Sequence, residues 1–286
     1  MWLDKLWRHR PKPTPTQPKR VRLSVERLEG REVPAGYTAA TASELISAIT
    51  AANQTAEVDT ITLAPVKTFT LTAANNTDHG PTGLPTIEAA GGSLTIIGNG
   101  SVIERSKAVR TPPFRLFTVT AGASLTLEDL TVQNGHAVLW GNFTTVGGAI
   151  ANFGTLTLDG VTVRNNIAGR NLPSEGLAVG GGIYSNGTLT VTDSTIRNNQ
   201  VFGRWAYGAG IYVGGGTATV VTTTISFNEA RGIAKTKESP AGQGIGGGLF
   251  IGNAVVYLDS FTASHVVNNK ASTSDPNIYG SYILLN

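Results

Sequence analysis

Through most of this chain, apolar residues alternate with threonine or serine in runs too short for a helix. Examples are Ser124-Leu-Thr-Leu127, Thr155-Leu-Thr-Leu158, Thr188-Leu-Thr-Val191 and Thr217-Ala-Thr-Val220. A period of two puts Leu156, Leu158, Val161 and Val163 on one face of a strand and Thr155, Thr157 and Thr162 on the other. Each run belongs to a longer repeat. The glycine-led starts Gly147-Gly-Ala-Ile150, Gly180-Gly-Gly-Ile183, Gly208-Ala-Gly-Ile211 and Gly246-Gly-Gly-Leu249 precede the threonine strands, with Val255-Val-Tyr-Leu258 a looser copy of the latter. A third short strand then closes on asparagine, as in Val161-Thr-Val-Arg-Asn-Asn166 and Ser194-Thr-Ile-Arg-Asn-Asn199. Three strands of this length cannot bury their own apolar side, whereas stacked copies share one continuous core. The pattern therefore predicts an all-β parallel solenoid.

Two details refine that reading. Asn134, Asn165, Asn198 and Asn228 are expected at one corner, where Asn tolerates a left-handed backbone and can bond to its equivalent one coil away. Thr41-Ala-Ser-Glu44 has capping-box spacing before Leu45, Ile46, Ile49 and Ala52, which predicts an amphipathic helix over 42–52 that caps the N-terminal end.

Composition agrees with strands and turns. The 286 residues include 35 glycines and only 14% charged residues. The absence of cysteine excludes disulfides and thiolate chemistry. No run approaches the roughly 18 apolar residues of a membrane-spanning helix, so no transmembrane segment is expected. The basic pI near 9.2 is a local property. Residues 1–32 hold nine Lys/Arg against four acids, a net of +5, so with +3 for the whole chain the remainder carries −2. A body without a concentrated basic face is not expected to bind nucleic acid.

Segment 1–36 reads as a separate disordered basic leader. It has an amphipathic start, a proline-spaced linker over Pro11–Pro18 and no apolar core of a Sec signal. Its string Leu23-Ser-Val-Glu-Arg-Leu-Glu-Gly-Arg-Glu-Val-Pro-Ala35 resembles the N-terminal leader of many planctomycete surface-associated proteins. The resemblance implies export to the cell surface or medium. Residues 41–286 resemble bacterial right-handed parallel β-helix proteins of the pectate-lyase-like fold, with repeats related to those of chlamydial polymorphic outer-membrane proteins. The motifs that carry this are Ser43-Glu-Leu-Ile-Ser-Ala-Ile-Thr-Ala-Ala-Asn53, Asp59-Thr-Ile-Thr-Leu63, Gly83-Leu-Pro-Thr-Ile87, Leu94-Thr-Ile-Ile-Gly-Asn-Gly100, Phe114-Arg-Leu-Phe-Thr-Val119 and the Gly-Gly-Ala-Ile starts. The resemblance implies about seven or eight right-handed coils over 37–286.

No catalytic cluster is read from the sequence. Asp129, Asp159 and Asp193 recur at turns, with their alignment offset by one residue. His79 and His136 read as loop residues, because the paired aspartates and the Arg-x-Lys partner of a polygalacturonase-like site are taken as missing; His9 and His265 are treated likewise. No His pair or Asp-rich loop suggests a metal, Gly214-Gly-Gly216 reads as a turn, and no cofactor is expected. The candidate site is instead a surface. Insertions at 167–179, 200–207 and 229–245 fall at one corner and should project there. Beside them Tyr184, Tyr212 and Phe250 should form an outward aromatic ladder. Trp205 is expected to close over it from a loop, with Arg204 and Arg231 there to pair with acidic groups. The expected function is a non-catalytic, secreted or cell-surface protein, adhesin-like or structural in the envelope, monomeric, with an extracellular glycan or surface protein as partner. The alternatives are a polysaccharide-binding or polysaccharide-cleaving protein, and an anionic-surface binder acting through the tail.

Overall fold

The structure, a computed structural model, describes residues 36–138, 144–170, 176–234, 236 and 239–286. The expected leader lies outside these residues except for Gly36, which opens the first strand, Gly36–Ala39. The named strands pair in parallel, each with its equivalent one repeat away, as Ser124–Gln133 pairs with Thr155–Asp159 and that strand with Thr188–Thr192. The result is a parallel β-helix of about 7 turns.

Around one coil the chain visits four sheets. The threonine strand and the short strand after it belong to a 14-stranded sheet that bends between them. The chain then contributes to a 5-stranded sheet, returns through a 4-stranded sheet, and closes in a 6-stranded sheet that contains the glycine-led strands. The threonines face outward in strict register, Thr95, Thr126, Thr157, Thr190 and Thr219 forming one column. Their neighbours Leu127, Leu158, Val191 and Val220 are fully buried. The glycine starts have a backbone reason: Gly147, Gly180, Gly208 and Gly246 have φ of 60°, 68°, 63° and 63°, a conformation that penalises a Cβ.

The 5- and 4-stranded sheets correct the expectation of projecting loops. The segment 200–207 is almost wholly strand, Gln200–Gly203 and Trp205–Tyr207, folded back at Arg204. The segment 167–179 starts and ends in strands, Ile167–Gly169 and Leu177–Val179, and 229–245 does the same with Glu229–Gly232 and Gln243–Ile245. The two sheets pack face to face around Ala168, Ala178, Val201, Ala206, Ala209 and Ala230, a cluster separate from the main core. They form a two-layered fin on the body.

The asparagine corner holds two columns where one was expected. Asn134, Asn165, Asn198 and Asn268 take positive φ, and at the equivalent position of the coil between the last two stands Phe227 (φ 56°). The next residue forms the buried ladder: the Asn166 side-chain and backbone N–H groups donate to Asn199 Oδ1 at 2.9 and 3.0 Å, Asn199 donates likewise to Asn228, and Asn228 to Asn269. Asn228 therefore belongs to the ladder and not to the left-handed column. Left-handed backbone at Asp129 and Asp193, with Gly160 in the same place, bears out the turn reading for those two aspartates, whereas Asp159 ends a strand in register with Glu128 and Thr192.

The helix Ala42–Ala52 (α1) forms at the expected bounds. Thr41 Oγ1 accepts from Glu44 N–H at 3.2 Å, the N-cap half of the capping box, while Glu44 Oε2 accepts at 2.7 Å from Ala40 N–H, one residue before the N-cap. Its buried face, Leu45, Ala48, Ile49 and Ala52, joins the main core. A second helix, Ser260–His265 (α2), was not anticipated. It replaces a turn of the 14-stranded sheet, and its Thr262 Oγ1 accepts from Thr223 N–H, as Thr223 Oγ1 accepts from Ser194 N–H one coil earlier.

Candidate functional site

Alternation in the 6-stranded sheet buries Ile183, Ile211 and Leu249 and turns Tyr184, Tyr212 and Phe250 outward. The register pairs Tyr184 with Tyr212, Tyr212 with Phe250, and Phe250 with Tyr279. Ring centroids are 5.7, 5.0 and 4.5 Å apart along this series, with interplanar angles of 9°, 13° and 18°. These separations follow from the strand spacing of about 4.8 Å, which places a ring from each coil against the next. The array continues past the expected three residues. Phe153 lies 5.5 Å from Tyr184, and His79 lies 6.0 Å from Phe153.

Tyr207 widens the array from the side. It stands on the outer face of the 4-stranded sheet, stacks on Phe250 at 5.0 Å, and its hydroxyl donates to Gln243 Oε1 at 3.2 Å. The fin and the body thus meet through aromatic rings. Burial raises the pKa of the Tyr184, Tyr207 and Tyr212 phenols, and the neighbouring phenols add to this at Tyr184 and Tyr207. These three phenols are uncharged at neutral pH.

Tyr279 was missed because its coil lacks the glycine lead. The pair Ile278-Tyr279, aligned with Ile211-Tyr212, was the available signal. Phe153 lies in a turn after Ile150–Asn152, where no strand alternation marks it.

The remaining predicted residues do not gather on this strip. Trp205 lies on a strand of the 4-stranded sheet, paired with Leu177 and Gln243, and not on a loop above the rings. The guanidinium of Arg204 lies over its ring, 4.9 Å from the centroid. Arg204 occupies the fin tip. Arg231 pairs in register with Phe202 in the 5-stranded sheet, next to buried Ala230. Since that sheet packs its Ala230 face against the 4-stranded sheet, Arg231 points to the opposite side of the fin from Trp205 and Tyr207. Two grooves therefore flank the fin, one aromatic and one polar.

His136 corrects another reading. It lies on the strand His136–Ala137 of the 5-stranded sheet, half-buried, with Nε2 3.0 Å from the Gly169 carbonyl. A carbonyl can only accept, so this nitrogen carries the hydrogen. Burial lowers the His136 pKa; the Gly169 bond opposes this, and the nearby Arg105 and Arg170 charges lower it further. Arg105-Ser106-Lys107 lies beside it, which corrects the expectation that an Arg-x-Lys sequence is missing from the chain.

Arg115 is 2% exposed and has no acidic partner among the described residues. Its Nη1 donates to the His79 carbonyl at 2.5 Å and Nε to those of Val146 and Gly147 at 3.3 and 3.4 Å. Burial brings its pKa down to about 10, so it remains a cation at neutral pH. It ties the segment that presents His79, the first ring of the array, to the fin strand Thr144–Val146. Among the described residues no three His, Asp or Glu groups converge as a metal site, and no helix is long and apolar enough to cross a membrane. In comparisons with known proteins, no family model, no curated protein and no solved structure matches this chain.

Proposed function

We propose that this chain is a non-catalytic recognition protein, exported to the cell surface or medium, that binds an extended glycan along its aromatic array. The observation that carries the reading is the uninterrupted run from Phe153 through Tyr184, Tyr212 and Phe250 to Tyr279, widened by Tyr207. The rings from Tyr184 to Tyr279 stack on one another, so the strip offers a chain their outward edges and phenol hydroxyls, and one ring per coil suits an extended ligand rather than a compact one. The adhesin-like role also draws on the likeness of the repeats to those of polymorphic outer-membrane proteins, and export on the planctomycete-type leader string Leu23–Ala35.

The test is retention on a panel of insoluble and immobilised polysaccharides. Wild type should be retained by at least one, and Tyr212→Ala with Phe250→Ala should abolish retention while the β-sheet circular dichroism stays unchanged. Equal retention of the double variant makes the array a structural stack. Release of reducing or unsaturated ends by the purified protein would replace this reading with an enzymatic one. Export has its own check, a reporter fused behind residues 1–36, for which extracellular appearance is expected and cytoplasmic retention counts against it.

A further inference from the structure

On the polar side of the fin, a cleft of about 510 Å³ opens between the 5-stranded sheet and the segment after Ser93–Arg105. Arg105, His136 and Arg170 line it over an apolar floor of Ile167, Phe202 and Pro113. Lys107 joins Arg105 and His136 in the adjoining cleft of about 390 Å³. Arg105, Lys107 and Arg170 form no ion pair among the described residues, and the two adjoining clefts bring the three cations together.

Arg105 is held in place for a ligand. Its Nε donates to the Asn134 carbonyl at 3.0 Å, and Nη1 donates to the carbonyls of Thr111 and Pro112 at 3.3 and 3.4 Å. The guanidinium carbon lies 5.9 Å from the Phe114 ring centroid, and Nη2 makes no hydrogen bond among the described residues. A guanidinium fixed by carbonyls on one side, with a free edge on the other, suits a planar or tetrahedral oxyanion. The acid next in sequence, Glu104, accepts from Thr70, Gln133 and Asn134, the last of which lines the adjoining cleft, so one acid stands near three cations.

From here the corner continues along the stack with a different lining. Asn165, Asn198 and Gln200 line both this cleft and the next, which runs on to Phe227, Glu229 and Lys270. Cations at one end, followed by neutral amides, a ring and the opposite charges of Glu229 and Lys270, do not suit a polyphosphate, which needs positive charge at every repeat. They suit a polyhydroxylated chain with an acidic group at one position.

We propose that this cleft binds an oxyanion, a carboxylate or a sulfate ester, borne on a sugar chain whose uncharged remainder follows the amide-lined corner. This site is separate from the aromatic array and does not depend on it.

The experiment is calorimetric titration of the full chain at low salt with a galactose tetramer carrying one terminal galacturonate, the same tetramer carrying one terminal sulfate ester, and the unmodified neutral tetramer. At least one acidic probe should bind about tenfold or more tighter than the neutral one, the ratio expected of one charge-assisted bidentate contact. Which acidic probe wins distinguishes carboxylate from sulfate. Binding should weaken several-fold at physiological salt. Arg170→Met and Lys107→Met, which remove cations at the cleft rim, should each weaken acidic binding without lowering Tm, and Tyr212→Ala should leave it unchanged. Equal affinity for neutral and acidic probes, no acidic binding, or unchanged affinity in both cation variants overturns the proposal. Loss of acidic binding in Tyr212→Ala overturns it too, by moving the ligand to the array.

Discussion

The body and the fin are built from the same parallel ladders, yet different side chains hold them together. In the body each coil places Leu, Ile, Phe or Val into one core that runs from Leu45 to Val266. In the fin the cluster between the sheets is Ala168, Ala178, Val201, Ala206, Ala209 and Ala230, of which Val201 alone is larger than alanine. Backbone hydrogen bonds are comparable in both, so the difference lies in apolar area, worth about 25 cal/mol per Å² removed from water. Small side chains let the two fin sheets approach closely, but they contribute little burial. The lesson is a division of labour in which the body supplies stability and the fin supplies faces, an aromatic groove on one side and a polar one on the other.

The largest effect should come from the body. Leu158→Ala removes a fully buried side chain in the middle of the stack and should cost about 2–5 kcal/mol, read as a fall in the denaturation midpoint. Loss of a few tenths of a kcal/mol only would mean that the coils repack around the gap, and the body would then resemble the fin. Val201→Ala makes the corresponding cut in the fin and should cost about 1–2 kcal/mol. Its signature is local: amide exchange should speed up in 200–207 and in neighbouring fin strands while the threonine strands stay protected. Exchange that accelerates equally in both regions would show one cooperative unit.

The smallest effect concerns His136, at the root of the fin. Its native pKa lies below the unfolded value of about 6.5, so the unfolded chain takes up the proton first as pH falls. Its contribution is therefore fully present above pH 6.5 and is lost as pH falls through the lower native value. Wild type should lose Tm over that window, and His136→Gln should remove that part of the loss. An unchanged pH profile in the variant would show that burial of this imidazole is not linked to folding.

Much of this architecture was legible in the chain. Threonine alternation identified inside and outside for the coils from Ser124 to Val220, because a strand has a strict period of two and only one face of a coil can be dry. The capping box placed α1 at its observed bounds, since its signal lies within four consecutive residues, Thr41 to Glu44. The outward direction of Tyr184, Tyr212 and Phe250 followed from the same period. Less was legible where the repeat loses its landmarks. The Asn228 position was misassigned because Phe227 stands where the other coils have asparagine, and Tyr279 was missed because Pro276-Asn277 replaces the glycines.

The tertiary structure alone decided which surfaces the functional candidates share. Between the asparagine corner and the glycine start the chain varies in length from coil to coil, so no fixed spacing says which residue pairs with which. Only the formed ladder shows that Tyr207 stacks on Phe250 of the next coil, that Arg231 and Trp205 lie on opposite sides of the fin, and that Arg105, His136 and Arg170 share one cleft. Alternation is a local property of one strand, and sequence states it directly. Adjacency between coils depends on register and on how two sheets pack, and those are properties of the assembled stack.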